Sequence, residues 1–311
     1  MAAFKNIMCV VTPEPEDRLS TVERAVTLAQ EYQARLVVAE VIPRVILGGW
    51  TPDSGPASGQ ALIEVTDARM RALQELVQPF QKEQTIQVEV LTGTSFIEII
   101  RATLRNGHDL VIKPAEHPSF LDRMFGSDDM HLLRKCPCPV WLTHRNERPK
   151  SRRVLAAVDF DPQAPDPVVD RLNGQILQLA AQQAQADEAQ LHIVHAWSAP
   201  GGVGLRIWND EAQTPNVVDT IRLSREAGLE ELAEPFVESA PVMHLVRGRA
   251  DKEIPALARK QAVDLVVMGT VARTGIAGLL IGNTAEAIIN QLDCSLLAVK
   301  PEGFESPVRL T

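Results

Sequence analysis

The chain spells one pattern twice. Asn106-Gly107-His108-Asp109-Leu110-Val111-Ile112 is echoed by Gln261-Ala262-Val263-Asp264-Leu265-Val266-Val267, and Leu91-Thr92-Gly93 by Val246-Arg247-Gly248. Leu133 to Leu142, with Cys136-Pro137-Cys138-Pro139 inside it, is answered by Gln291 to Ala298, with Cys294 inside it. Repetition on this scale means two copies of one folding unit. Around the echoes, short apolar runs alternate with stretches of helical period. The predicted strands are 6–11, 35–41, 86–91, 109–112 and 140–144, then 154–158, 190–197, 242–246, 264–268 and 296–299. The helices expected between them are 21–32, 61–78, 96–105, 172–185, 219–234, 252–261 and 284–291.

Strands that are apolar throughout and alternate with helices call for parallel sheets covered on both faces, because right-handed crossovers lay helices above and below. The expected fold class is α/β, as two tandem doubly wound open parallel five-stranded sheets. The polar, basic stretch from His144 to Arg153, which contains Pro149, is the linker, so the domains are placed at 1–147 and 152–311. With 45% apolar and 23% charged residues, 311 residues can build two such cores. A formal charge of −9 gives the field the wrong sign for sequence-independent binding to nucleic acid or anionic lipid. The start of the chain has no leader pattern, no apolar run approaches the roughly 20 residues of a membrane span, and four cysteines do not make a disulfide framework. A cytoplasmic protein is the simplest expectation.

Open parallel sheets bind ligands beyond the carboxyl ends of their strands, where the strand order reverses, which points to the loops after the first and fourth strands of each copy. In the second copy these are Ala157-Val158-Asp159-Phe160-Asp161 and the glycine-rich run from Met268-Gly269 through Ala272, Gly275 and Gly278 to Gly282-Asn283-Thr284. Glycines let a backbone approach a bulky anion, and Asn283 or Thr284 is expected to cap the next helix. Glycines after a buried strand also serve any tight turn, so this loop alone leaves both readings open.

The spacing Gly269-x2-Ala272-x9-Gly282-Asn283, with Val158-Asp159 after the first strand and Pro137-Cys138-Pro139-Val140 before the fifth of the first copy, resembles the universal stress protein family, and the closing stretches from Gly282 to Glu286 and from Lys300 to Val308 look most like its two-domain E group. The resemblance covers nearly the whole chain. It implies the adenine nucleotide alpha hydrolase-like fold and a bound ATP or AMP, with or without Mg, in a regulatory role, with no catalytic residues and no required cofactor. It also implies a cellular role in survival under starvation, oxidative or DNA-damaging stress. Carried over, Asp159 meets the adenine, Ala157 and Ala196 wall the base, Met268 and Gly269 border ribose and phosphates beside Ala272, and Gly282, Asn283 and Thr284 hold phosphate oxygens. Family dimers imply that the two copies pair within the chain through their last strands, with a further homodimer left open. Ala272 and Asn283 depart from the family's glycine and hydroxyl residue.

The first copy departs further. Thr12 replaces Asp159, and counted back 13 residues from Gly126, as Gly269 stands from Gly282, the position is Lys113, which sets Glu116 at the second glycine. Acid at a phosphate site repels, so this copy is expected to exclude a nucleotide and to serve as a partner domain, or to take an apolar ligand through Ile46, Leu47, Trp50, Phe120 and Phe125. Cys136 and Cys138 with His131 and His144 lack zinc-finger spacing, and structural roles are expected for them and for His192 and His195; no metal site is expected. Neither a P-loop nor a nucleophile with its base is present, which leaves weak ATP hydrolysis without a named base. The alternative to a nucleotide-binding regulator is an interaction or scaffold protein.

Overall fold

A computed structural model describes residues 4–12, 15–43, 56–82, 84–116, 128–145, 147–198, 214–270 and 281–310. By compactness the chain parts into two units: Met1–Lys150 with Ser295–Thr311, and Ser151–Thr274 with Gly282–Cys294. The break after Lys150 falls in the expected linker. The last strand, however, is grouped with the first unit.

The first unit runs β1 (Asn6–Val11), α1 (Pro15–Tyr32), β2 (Arg35–Ile42), α2 (Pro56–Val77), β3 (Ile86–Thr92), α3 (Ser95–Asn106), β4 (Leu110–Pro114), α4 (Asp128–Lys135) and β5 (Val140–Thr143). Its strands lie in the order β3-β2-β1-β4-β5, all parallel, and β10 (Ser295–Val299) adds antiparallel to β5. The expected pairing of the two last strands is thus present, with Leu296 opposite Leu142, Leu297 opposite Trp141 and Ala298 opposite Val140. Both strands are buried along their length, so an apolar sequence is what this position demands.

The second unit repeats the order with β6 (Arg153–Ala157), α5 (Pro167–Asp187), β7 (Gln190–Trp197), α6 (Thr214–Ala233), β8 (Val242–Arg247), α7 (Ala250–Lys260), β9 (Leu265–Gly269) and α8 (Asn283–Ile289). Its parallel strands run β9-β6-β7-β8. The order reverses between β6 and β9, as it does between β1 and β4. These are the expected switch points.

The repeated aspartate in the two echoing segments has a structural cause. In the first unit Asp109 accepts from the amides of Lys5 and Asn6 at 2.7 and 2.9 Å, tying the start of β4 to the start of β1. In the second, Asp264 accepts from Arg152 and Arg153 at 2.7 and 3.1 Å. Helix ends are set locally: Asp166 caps α5 by accepting from Val168, ahead of Pro167, while Gly107 ends α3 in the left-handed conformation at φ 67°.

His192 and His195 face opposite sides of β7, as expected for residues three apart in a strand. His192 stacks on His244 with Nδ1 and Nε2 2.9 Å apart, and burial pushes both imidazoles below their usual range. His195 lies 3.2 Å from the Val158 carbonyl. Cys136 and Cys138 are buried with their sulfurs 3.7 Å apart.

Candidate functional site

A cavity of about 780 Å³ opens beyond the carboxyl ends of the second unit's strands, large enough for a nucleotide-sized ligand. Eight residues singled out from sequence line it: Ala157, Asp159, Ala196, Met268, Gly269, Gly282, Asn283 and Thr284. Ala272 lies outside the described residues, as do Gly275 and Gly278. Ala157 is the last residue of β6 and Ala196 the last but one of β7, and their small side chains keep the space above the sheet open. Leu172 and Ile176 of α5, Ile254 of α7 and Ile288 of α8 supply apolar walls.

The loop after β6 is fixed from three sides. The buried Asn173 side chain accepts from the Asp159 amide at 3.2 Å and donates to the Asp159 carbonyl at 2.8 Å, so one amide satisfies both main-chain groups. Phe160 stacks on His195 with ring centroids 4.1 Å apart. Arg225 of α6 donates to the Phe160 carbonyl and pairs with Asp161 at 2.8 Å. Gly228 is needed beneath that ring, because a Cβ there would sit 2.6 Å from Phe160. Asp161 is also the turn former expected of it, accepting from the amide of Gln163 at 3.1 Å. Asp159 is thereby presented on a backbone that does not need to reorganise.

Two expectations for the glycine loop change. Gly282, not Asn283 or Thr284, takes the N-cap position of α8, and its amide donates to the Thr270 carbonyl at 3.1 Å. Asn283 and Thr284 instead open the first turn, both exposed at the cavity edge. Gly269 has a packing reason: a Cβ there would lie 2.7 Å from Leu172 and 3.6 Å from Ile176, so glycine lets α5 close onto β9.

The register of the strands corrects the comparison with the first copy. Ile7 pairs with Leu110 as Val154 pairs with Leu265, so the twin of Lys113 is Met268, and the twin of Gly269 is Pro114. Counting back from the glycine after the loop misplaces the match by one residue, because it assumes loops of equal length. Lys113 is 2% exposed and its ammonium pairs with Asp129 of α4, with Glu116 at 3.5 Å. Burial opposes its charge, and Asp129 and Glu116 outweigh burial and hold its ammonium above the usual range. The Glu116 amide in turn donates to Asp129 at 2.6 Å. A buried ion pair therefore fills the position that in the second copy is the cavity wall. Other substitutions point the same way: Val10 stands for Ala157, Val41 for Ala196 and Thr12 for Asp159. Glu40 on β2 is held by Arg18 at 3.0 Å and Arg69 at 3.5 Å, where the twin carries His195. The apolar loop residues Ile46, Leu47, Trp50, Phe120 and Phe125 lie outside the described residues.

Sequence reasoning missed Asn173, Arg225, Ser198 and the pair Arg249 and Asp251, of which all but Arg225 line the cavity. The Gly248-Arg249-Ala250-Asp251 run carries a signal, since in the first copy the matching Gly93-Thr94-Ser95-Phe96 is uncharged. Among the described residues no group of three or more His, Cys, Asp or Glu side chains is placed to hold a metal ion, and no helix is long and apolar enough to cross a membrane.

Comparison with known proteins agrees with the repeat. The profile of the universal stress protein family matches residues 3–144 and again 150–300. Universal stress protein E of Salmonella typhi is 30% identical over 320 residues, covering 100% of this chain and 98% of its own. Its counterpart in Escherichia coli (strain K12) is 29% identical over 318 residues with the same coverage. A crystal structure of a universal stress protein from Pseudomonas aeruginosa UCBPP-PA14 superposes with a TM-score of 0.71 at 26% identity, covering 96% of this chain and 94% of that one. With two successive matches that account for nearly every residue and relatives of the same two-repeat length, the chain belongs to the universal stress protein family.

Proposed function

We infer that this protein is a two-repeat regulator that binds an adenine nucleotide, ATP or AMP, in its second repeat, with the first repeat acting as a partner domain that takes no nucleotide. The observation that carries the reading is the single cavity wall formed by Ala157, Asp159, Ala196, Met268, Gly269, Gly282, Asn283 and Thr284, four separate segments converging at a switch point. In this reading Asp159 accepts from the base, Ala157 and Ala196 flank it, and Met268 and Gly269 border the ribose. Asn283 and Thr284 offer an amide and a hydroxyl to phosphate oxygens beside Gly282. Mg accompanies the ligand only through its phosphates, and the protein works without turnover, in the cytoplasm, in survival under starvation, oxidative or DNA-damaging stress.

Titration calorimetry of the intact protein with ATP and AMP, against Asp159→Ala, tests the binding. Heat with wild type that falls several-fold in the variant is expected, and no heat for either nucleotide ends the reading. The scaffold alternative draws on one observation, the charged filling of the first repeat by Lys113, Asp129 and Glu116. Native mass spectrometry of freshly purified protein separates the two, since a retained nucleotide supports the regulator and a retained apolar mass the scaffold.

A further inference from the structure

The cavity contains two carboxylates, Asp159 and Asp251, and among its described lining residues one cation, Arg249. Arg249 occupies the N-cap position of α7 but makes no side-chain cap there. Its guanidinium instead forks onto Asp251, two residues on, with Nε to Oδ1 at 3.0 Å and Nη2 to Oδ2 at 2.9 Å. The two partners are not equally fixed. The Asp251 side chain is 11% exposed, whereas that of Arg249 is 77% exposed.

Asp251 is anchored through its own main chain. Pro255, four residues on, has no N–H to donate to the Asp251 carbonyl, which would leave that acceptor without a helical partner. Gln291, following α8, donates its Nε2 to this carbonyl at 2.9 Å. Asp251 is therefore a stationary carboxylate, and Arg249 a long, solvated arm resting on it. The arm is specific to this repeat, because Thr94 and Phe96 hold the matching positions in the first.

A solvated ion pair of this kind is weak, and a guanidinium gains more on a desolvated phosphate oxygen. We propose that Arg249 reads the charge of the ligand: Asp251 holds it while no anion is bound, and a phosphate ester entering the cavity takes the guanidinium over. Asp251 then acts as an internal competitor that sets how strongly a phosphorylated ligand is preferred to its uncharged parent. The proposal rests on the nucleotide reading and adds to it the residue that tells AMP from adenosine.

Titration of the intact protein with AMP and with adenosine reads the preference as a ratio of affinities. Arg249→Gln is expected to lower that ratio about tenfold, Arg249→Lys to lower it less, and Asp251→Asn to raise it by freeing the arm. Circular dichroism melts establish that all three variants are folded. An unchanged ratio in Arg249→Gln, or a ratio that falls in Asp251→Asn, overturns the charge-reading role while leaving nucleotide binding intact. Wild type that binds neither AMP nor adenosine overturns the nucleotide reading, and this proposal with it.

Discussion

Replacing Lys113 by Met puts into the first repeat the residue that its twin carries at position 268. Lys113 is 2% exposed, its ammonium is bound to Asp129, and the Asp129 side chain is 8% exposed, so the substitution strands a carboxylate with the Glu116 amide as its remaining partner nearby. Removing one member of a buried pair costs about 3–5 kcal/mol, whereas replacing both by apolar groups is close to neutral because the desolvation of both charges disappears together. Lys113→Met is thus expected to lose about 3–5 kcal/mol, and Lys113→Met with Asp129→Leu to return to within about 1–2 kcal/mol of wild type. For a unit of this size the single variant should melt roughly 6–20 °C lower. Trp141 is fully buried on β5 beside β4 and reports on this unit. Urea unfolding followed by its emission, with Trp50, Trp197 and Trp208 changed to Phe, gives the free energies. A double variant as unstable as the single one, or a single variant within 1 kcal/mol of wild type, would show that the pair is not what holds α4 against β4.

Asn173→Ala removes the two hydrogen bonds to Asp159, worth about 0.5–1.5 kcal/mol each, so a melting temperature lower by roughly 2–12 °C is expected together with faster amide exchange at Asp159; unchanged exchange would place the order of that loop elsewhere. Glu116 has its carboxyl held above the usual range, by burial first, with Lys113 pulling it down and Asp129 and Asp128 pushing it up. The folded chain therefore binds that proton more tightly than the unfolded one, and its contribution is lost as the pH rises through the raised value. Glu116→Gln should match wild type in acid and become the more stable of the two toward neutral pH in melts across that range; a constant difference, or one of the opposite sign, contradicts the assignment.

Most of the fold was legible because buried parallel strands advertise themselves: Asn6–Val11 and Gln190–Trp197 have the bounds predicted for them. What the sequence could not convey was anything that depends on a partner. Nothing in Ser295–Val299 says that its neighbour is Val140–Thr143 in antiparallel register rather than a parallel strand, since both arrangements ask for the same apolar residues. Asn173 looks like any polar residue on a helix until Asp159 is seen to need both a donor and an acceptor. Spacing counted through a loop sets Lys113 against Gly269, and only strand register fixes the match at Met268.

The same register explains why a position that lines the cavity in the second repeat holds a buried charge in the first. Both units use one aspartate to tie the fourth strand to the first, so their frameworks place the next residues along the strand equivalently. Four residues past that aspartate the second unit has Met268 and then Gly269, which lets Leu172 pack close and leaves the space above the sheet unfilled. The first has Lys113 and Pro114, and a buried ammonium cannot stand alone, so it requires Asp129 and draws in Glu116. Once that charge is inside, room for a phosphate would mean uncovering it or bringing an anion against two carboxylates. The charged filling of this position in the first repeat thus follows from one strand residue and the partners it recruits.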